Sequence, residues 1–366
     1  MQAIVFRGAG QPLEVSEVGV EHPKAGEVRV RIAAAGVCHS DLHVLKGDWQ
    51  LPTPLVMGHE GSGVVTAVGE GVSKVAVGDH VVLSWVPACG KCRNCVAGKP
   101  ARCELVARVV APNGVLYDGT TRFHAGGERI HHYLGVSSFA EEVVVPESGA
   151  IPIRKDAPLD VVSIVGCAVA TGVGAVLRTA QVEAGSTVAV IGCGGVGLSV
   201  VQGARLANAE RIIAIDVLAS KLDVARRLGA TDVVDASAVD PVEAVRELTE
   251  GGADYVFDAI GKVTTTEQSL SMLGIGGTSV IVGLPPAGAK AQFEPLALAE
   301  ADQRILGSNY GSILPERDVP WLVDLYMEGR IQLEEMISGR RPLREAGAAF
   351  EDLAAGRALR TLLIPE

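Results

Sequence analysis

Four cysteines lie in a short segment whose spacing is typical of a metal site. Cys89, Cys92, Cys95 and Cys103 form the pattern C-x2-C-x2-C-x7-C within PACGKCRNCVAGKPARCE. Four thiolates in a turn-rich segment suit a closed tetrahedral zinc site that leaves no position for a substrate. Two disulfides are the alternative, but the total of seven cysteines is odd and the first residues lack a signal-peptide pattern. We predict a structural zinc held by a loop over residues 89–103.

A second set of metal-ligating residue types is scattered along the chain. Cys38 follows the strand-like run EVRVRIAAAG, His59 lies in GHEGSG, and Cys167 lies in VGCAVATGVGAV. One imidazole and two thiolates would leave a zinc ion with an open fourth position, which is the arrangement of a catalytic site. Spacing alone does not bring such distant residues together, because a buried cysteine is often an inert hydrophobe and a lone histidine a core residue. Both interpretations stay open on these residues alone.

A glycine-rich turn between two strand-like runs indicates a dinucleotide site. The run GCGGVG (192–197) follows the β-branched stretch TVAVI and precedes a helical stretch and a second strand ending at Asp216. Gly192 would allow the tight turn, Gly194 the approach of the pyrophosphate, and Gly197 the packing of helix on strand. Asp216 would bind the adenosine ribose and repel a 2′-phosphate, and no arginine follows it directly. The sequence therefore predicts NAD rather than NADP.

The segments around these residues predict the elements that hold them. After residue 186 strand-like and helical stretches alternate, which indicates an α/β protein with a doubly wound parallel sheet. Residues 1–150 contain short strand-like runs between glycines and prolines, which predict a β-rich unit. The uncharged windows 161–177 and 184–204 are long, but glycines interrupt the second and flanking basic clusters are missing. Without a signal-peptide pattern or a membrane span we expect a cytoplasmic protein, and the net charge of −11 disfavours a nucleic-acid or membrane partner.

Taken together, these motifs resemble the zinc-dependent alcohol dehydrogenases of the medium-chain dehydrogenase/reductase superfamily. The resemblance runs nearly end to end, and residues 116–146 are similar to the longer liver-type and thiol-dependent formaldehyde dehydrogenase forms. It rests on CHSD-x-H (38–43), GHEGSG (58–63), the four cysteines (89–103), GCAVATG (166–172), GCGGVG (192–197) and VGLPP (282–286). It implies a GroES-like β-rich catalytic domain over 1–167 and 309–366. A Rossmann NAD-binding domain would span 168–308.

The resemblance also implies a catalytic centre. It identifies Cys38, His59 and Cys167 as the ligands of a catalytic zinc, so that the chain would hold two zinc ions, one catalytic and one structural. The proton of the reacting alcohol needs a route to solvent, and Ser40 and His43 would form that relay.

Further residues are assigned around this centre and at the cofactor. Asp41 would hold the second nitrogen of His59 and fix its tautomer, unless it serves only as a turn residue. Glu60 would tune the field at the zinc, unless it only forms a surface ion pair. The implied contacts to NAD are His39 and Arg360 at the pyrophosphate, Thr171 and Val196 at the nicotinamide, Asp216 and Lys221 at the adenosine ribose, and Gly192, Gly194, Gly195, Gly197, Val282 and Gly283 around them.

The segment after the zinc motif predicts the kind of substrate. Trp49 and the apolar residues of 45–54 predict an apolar pocket, which favours a primary aliphatic or aromatic alcohol oxidised to its aldehyde. The alternative is a glutathione- or mycothiol-dependent formaldehyde dehydrogenase or S-nitrosothiol reductase; with a one-residue shift, Arg108 matches an arginine that contacts the thiol's carboxylate. A non-catalytic zinc- and NAD-binding protein is a remote alternative. Relatives pair through an edge strand near VGLPPAGAK, so we expect a homodimer, with a tetramer as the alternative.

Overall fold

The computed structural model describes the whole chain, Met1–Glu366. Its strands are β1 (Gln2–Phe6), β2 (Glu14–Glu17), β3 (Gly19–Val20), β4 (Glu27–Gly36), β5 (Leu55–Val56), β6 (Gly61–Val68), β7 (His80–Leu83), β8 (Phe123–Ala125), β9 (Glu128–His132), β10 (Glu142–Pro146), β11 (Ala150–Pro152), β12 (Thr187–Ile191), β13 (Arg211–Asp216), β14 (Asp232–Asp235), β15 (Ala253–Asp258), β16 (Leu273–Ile281), β17 (Arg304–Gly307), β18 (Ile337–Pro342) and β19 (Arg360–Ile364). Its helices are α1 (His39–Lys46), α2 (Arg93–Val96), α3 (Ala111–Asn113), α4 (Leu159–Val162), α5 (Ala168–Gly174), α6 (Gly195–Leu206), α7 (Ala219–Leu228), α8 (Pro241–Leu248), α9 (Val263–Ser271), α10 (Pro295–Glu300), α11 (Pro315–Met327) and α12 (Ala346–Ala354).

The chain divides into two compact units, which we call the first and the second unit. The first unit contains Met1–Cys167 and Leu314–Glu366, and the second contains Ala168–Ile313. The sequence placed the return to the first unit at 308/309, whereas the structure places it at 313/314. The reason is local packing, because the turn after Asn309 stays with the second unit and its Gly311 lies against the backbone of Gly174.

The first unit is built from two mainly antiparallel sheets. One runs in the order β2-β1-β5-β9-β8-β3, and the other runs β11-β7-β6-β4-β19-β18, with β10 pairing with residues 27–31 of β4. The C-terminal strand β19 pairs with the end of β4, where Leu362 faces Gly36. This pairing brings β19 close to Cys38, which lies two residues after the end of β4.

The second unit is the predicted doubly wound sheet. Its strands are all parallel and run in the order β14-β13-β12-β15-β16-β17. The order reverses at β12, which is where such sheets bind ligands at the carboxyl ends of their strands. The apolar core includes Ala189, Ile213 and Val256, whose strands are buried on both faces. The α/β fold predicted from the sequence is confirmed.

The four-cysteine segment differs from the predicted loop. Residues 89–103 do not form a loop throughout, because Arg93–Val96 make one helical turn and Pro100–Arg102 a 3₁₀ turn. Proline at the first position of that second turn favours it through its fixed φ.

No single helix is long and apolar enough to cross a membrane; the consecutive stretches Leu159–Gly166 and Ala168–Ala180 reach that length and hydropathy only as a bent pair.

Candidate metal and nucleotide sites

The first unit brings Cys38, His59 and Cys167 together. Cys38 caps the start of α1, His59 precedes β6, and Cys167 follows the 3₁₀ turn Ser163–Gly166. Their ligating atoms all lie within 4.8 Å of one another, and the residues are 5%, 1% and 7% exposed. His59 Nε2 lies 3.3 Å from Cys167 Sγ, close to the roughly 3.5 Å that two ligands of a tetrahedral zinc ion span. A hydrogen bond from Cys167 lowers the pKa of Cys38 well below its ordinary value, so this pair favours a thiolate. The donor set fits a catalytic zinc.

Asp41 fixes the orientation of the ligand imidazole. Its carboxylate Oδ1 lies 3.1 Å from His59 Nδ1, and its Oδ2 accepts a hydrogen bond of 3.2 Å from the backbone N–H of Cys38. Asp41 is fully buried. A carboxylate on Nδ1 holds the proton there and leaves Nε2 with its lone pair directed at a metal. Asp41 therefore does more than stabilise a turn.

Glu60 and Arg360 form a buried pair beside the same centre. Arg360 Nε lies 3.6 Å from Glu60 Oε1, and its Nη1 donates to the carbonyl of Val37 at 2.9 Å. Both side chains are almost completely buried, which excludes the surface ion pair considered from the sequence. Glu60 has no room to spare, since a Cβ at Gly36 would collide with its carboxylate. The contact of Arg360 with a pyrophosphate stays a prediction.

The predicted relay residues lie on α1. Ser40 Oγ is 3.8 Å from Cys38 Sγ, and His43 occupies the last turn of the helix. His43 Nδ1 lies 2.7 Å from Asp48 Oδ2, and its ring stacks on Trp49 with the ring centroids 4.7 Å apart. Trp49 thus contacts His43, which the sequence did not indicate.

Two neighbours of this centre were missed in the sequence. Asp48 lies in the stretch assigned to the substrate pocket, and only its place two residues after the helix end could have drawn attention to it. Tyr133 is buried; its ring meets that of His59 edge-on, with the centroids 5.5 Å apart, and its hydroxyl donates to the carbonyl of Ser40 at 3.2 Å. No spacing pattern connects Tyr133 with these residues.

The four-cysteine lobe (residues 89–103) forms the second metal centre. The sulfur atoms of Cys89, Cys92, Cys95 and Cys103 lie within 4.8 Å of one another, and none forms a disulfide. Cys92 Sγ and Cys95 Sγ are 3.5 Å apart, near the roughly 3.8 Å of two thiolates on one zinc ion. Backbone N–H groups surround the sulfurs and lower the pKa of Cys92 to about 6. With all four donors supplied by cysteine, this centre fits a structural zinc.

The second unit contains the glycine-rich fingerprint of residues 192–197. Gly192 has a left-handed backbone with φ of 94°. Nothing lies within 4 Å of a Cβ added at Gly194, so that side is open to a ligand, whereas a Cβ at Gly197 would collide with the carbonyl of Gly192. Asp216 ends β13 and accepts hydrogen bonds from the N–H groups of Cys193 and Leu218. A pyrophosphate would meet the N-terminus of α6, which begins at Gly195.

The remaining predicted cofactor residues lie on separate elements. Within the second unit, Thr171 is on α5, Val196 on α6 and Lys221 on α7, while Val282 and Gly283 directly follow β16. His39 is the first residue of α1 in the first unit. Their contacts with NAD stay predictions.

Comparison with known proteins gives the same assignment over the whole chain. An alcohol dehydrogenase GroES-like domain matches residues 24–155, and a zinc-binding dehydrogenase domain matches residues 195–328. The S-(hydroxymethyl)glutathione dehydrogenase of Saccharomyces cerevisiae is 43% identical, over 99% of this chain and 95% of its own length. The class-3 alcohol dehydrogenase of Cereibacter sphaeroides is 41% identical, over 99% of both chains.

A solved structure agrees with the fold. The benzyl alcohol dehydrogenase of Acinetobacter calcoaceticus superposes with a TM-score of 0.95 at 33% identity, over 100% of this chain and 99% of its own. The family resemblance, the cofactor NAD and the two zinc centres predicted from the sequence are confirmed. The chain therefore belongs to the zinc-dependent alcohol dehydrogenases of the medium-chain dehydrogenase/reductase superfamily, NAD-dependent oxidoreductases that act on CH–OH groups.

Proposed function

We propose that the substrate is the adduct of formaldehyde with a thiol. The observation that carries this proposal is the set of names among the curated relatives, where S-(hydroxymethyl)glutathione dehydrogenases of two yeasts match 99% of this chain at 41% and 43% identity. This reverses the preference for a simple alcohol that the apolar residues of 45–54 suggested. The reaction converts R–S–CH2OH and NAD⁺ into the thioester R–S–CHO, NADH and a proton.

The residues of the first unit suit this oxidation. When bound, zinc supplies a Lewis acid that makes the substrate hydroxyl more acidic, and NAD⁺ supplies the hydride acceptor. Asp41 holds the ligand His59 in one tautomer, and the buried guanidinium of Arg360 faces the negative charges of Glu60 and Cys38. Ser40 and His43 offer the hydroxyl and the imidazole for removal of the proton.

Recognition of the thiol requires charged groups, and Arg108 is the candidate. It lies on the π-helical turn Val106–Val110, directly after the four-cysteine lobe, and its side chain is exposed. Its guanidinium suits a carboxylate group of a thiol compound such as glutathione, because the two planar groups can form paired hydrogen bonds. The stretch 45–54 offers one acidic residue, Asp48, and that carboxylate contacts His43.

A free primary alcohol is the second candidate. It is favoured by the likeness to the benzyl alcohol dehydrogenase and by the apolar character of 45–54, where Leu45, Trp49 and Leu51 are half-buried. An apolar substrate would need no contact with Arg108, so the two candidates differ in their response to a change there.

The test is NADH formation by the zinc-loaded enzyme with formaldehyde plus glutathione, formaldehyde plus mycothiol, formaldehyde alone, benzyl alcohol and short primary alcohols. We expect the highest kcat/KM with formaldehyde plus a thiol. Arg108→Ala should raise the KM for the adduct about tenfold, the loss of one charge-assisted contact, whereas Arg129→Ala, an exposed arginine on β9, should leave it unchanged. Turnover of benzyl alcohol alone, insensitive to both changes, would assign the enzyme to free alcohols.

We further propose that the chain forms a homodimer through β17. This strand is the edge of the parallel sheet, so one side of its backbone has no strand partner within the chain. Ile305 on this strand is 40% exposed, and Phe293 and Ile275 are 51% and 89% exposed. Light scattering should give the mass of a dimer, and Ile305→Lys should shift it toward the monomer. A monomeric wild type would contradict this assembly.

A further inference from the structure

The end of helix α1 folds the chain back onto His43. Gly47 ends the helix in a left-handed conformation, with φ of 80° and ψ of 11°. The backbone N–H of Asp48 then donates to the carbonyl of His43 at 2.9 Å. Through this turn the next two side chains, those of Asp48 and Trp49, come to lie against the imidazole of His43.

The two contacts restrict His43 in complementary ways. Asp48 Oδ2 lies 2.7 Å from His43 Nδ1, the length of a charge-assisted hydrogen bond. Trp49 stacks on the ring at an angle of 23° between the planes. The side chains of His43 and Asp48 are 22% and 30% exposed, so the pair sits at the surface with access to water.

The carboxylate decides which nitrogen of His43 is the base. An ionised carboxylate accepts hydrogen bonds and donates none, so Nδ1 must carry the proton and Nε2 keeps its lone pair. The same chain uses this arrangement at its metal centre, where Asp41 holds Nδ1 of His59 at 3.1 Å and leaves Nε2 for the metal.

We propose that Asp48 is a positioning residue, which holds His43 in the Nδ1–H tautomer so that Nε2 receives the proton released by the substrate hydroxyl. Nε2 gains one proton while Nδ1 keeps its own, and the carboxylate of Asp48 balances the new positive charge. Trp49 keeps the ring in the plane that this hydrogen bond requires. The inference rests on the proposed role of His43 in the relay, but not on the identity of the substrate.

The tautomer can be observed directly in the zinc-loaded protein. With ¹⁵N-labelled histidine, the resonances of His43 are those missing from His43→Gln. We expect the wild type to show protonated Nδ1 and unprotonated Nε2, and Asp48→Ala to show the Nε2–H tautomer or a mixture. An unchanged tautomer in Asp48→Ala would overturn the proposal.

Kinetics with the best substrate found for the enzyme supply the second measurement. Asp48→Asn should lower kcat about tenfold with the KM values for NAD and substrate within twofold, since the positive charge on His43 loses its counterion, and Asp48→Glu should restore part of the loss. Asp156→Asn makes the same chemical change at an exposed carboxylate paired with Arg154 and should leave kcat unchanged.

The outcomes distinguish the role of Asp48 from that of His43 and from the identity of the substrate. An unaltered kcat in Asp48→Asn, or a loss equal to that in Asp156→Asn, would overturn the positioning role. A His43→Gln variant with full kcat would remove His43 from the relay and the role of Asp48 with it. An enzyme that oxidises benzyl alcohol rather than the thiol adduct, yet loses kcat in Asp48→Asn, would refute only the proposed substrate.

Discussion

The centre at Cys38 takes its ligands from three distant parts of the chain, whereas the four-cysteine lobe takes all of its ligands from one segment. The first is buried and surrounded by Asp41, Glu60 and Arg360, which orient a ligand or balance charge. The second is half exposed, and its sulfurs accept hydrogen bonds mainly from the segment's own backbone. The tertiary fold brings the ligands of the first centre together, whereas the four thiolates of the second centre hold the turns of their own segment in place.

This difference predicts that changes at the two centres have separable effects. At the first, the fold persists without the ion and chemistry is lost. At the second, four thiolates hold turns that bury little apolar surface, so the local structure depends on the ion.

The largest expected effect is that of Cys38→Ser on turnover. Loss of one ligand should release the catalytic zinc and lower kcat about 1,000-fold or more, the size of the charge stabilisation a metal supplies. Zinc analysis should fall from two ions to one per chain, while the dissociation constant for NADH stays within about twofold. Unchanged turnover would contradict the metal assignment.

Removal of a ligand in the lobe should act on stability instead. Cys95→Ser should also leave one zinc per chain, but the melting temperature should fall by about 5 °C or more, since structural zinc contributes to folding directly. Calorimetry of this variant and of Cys38→Ser makes the comparison. Equal melting temperatures in the two variants would show that the lobe does not depend on its metal.

A glycine next to the catalytic centre offers a finer test. In Gly36→Ala the new Cβ displaces the carboxylate of Glu60 from Arg360. We expect kcat to fall about tenfold with both zinc ions retained, as for the loss of a group that orients or balances a ligand. Gly339→Ala on β18 is the matched control, because nothing lies within 4 Å of its Cβ. A similar loss in both variants would remove Glu60 from the centre's chemistry.

The last comparison is between two buried histidines, and it tests the dependence of stability on pH. His59 faces Asp41, whereas His132 accepts a hydrogen bond from the N–H of Arg122 and has no carboxylate partner. Burial lowers the pKa of His132 to about 3. In the unfolded protein the His132 side chain binds a proton below about pH 6.5, whereas in the folded protein it stays neutral. The free energy of unfolding is therefore undiminished by this residue above about pH 6.5. Between pH 6.5 and 3 it falls by about 1.4 kcal/mol per pH unit.

Melting temperatures between pH 7.5 and 5 check this prediction. The wild type should lose stability below pH 6.5, and His132→Asn should show a shallower loss. Parallel curves for the two proteins would show that another group governs the acid sensitivity.

Motifs with local geometry could be predicted from the sequence. The fingerprint 192–197 and the four-cysteine lobe need only neighbouring residues, so spacing and glycine positions identify both. The ligand set of Cys38, His59 and Cys167 required the resemblance to a family, because strand pairing and not spacing brings these residues together.

Residues whose role depends on side-chain packing could not be predicted from the sequence. Asp48 meets His43 only because Gly47 reverses the chain, and Tyr133 reaches Ser40 from a distant segment. Arg360 was assigned to the pyrophosphate from the resemblance alone. Its contact with Glu60 follows from the pairing of β19 with β4, which no local pattern in the sequence encodes.

The most direct test of two differently built centres is anomalous diffraction at the zinc absorption edge from crystals of the enzyme. We expect two peaks per chain. One should be bound by Cys38, His59 and Cys167 with a fourth position not filled by protein, and the other by the four sulfurs of the lobe. A single peak, or a peak at the first site without Cys167 as a ligand, would contradict it.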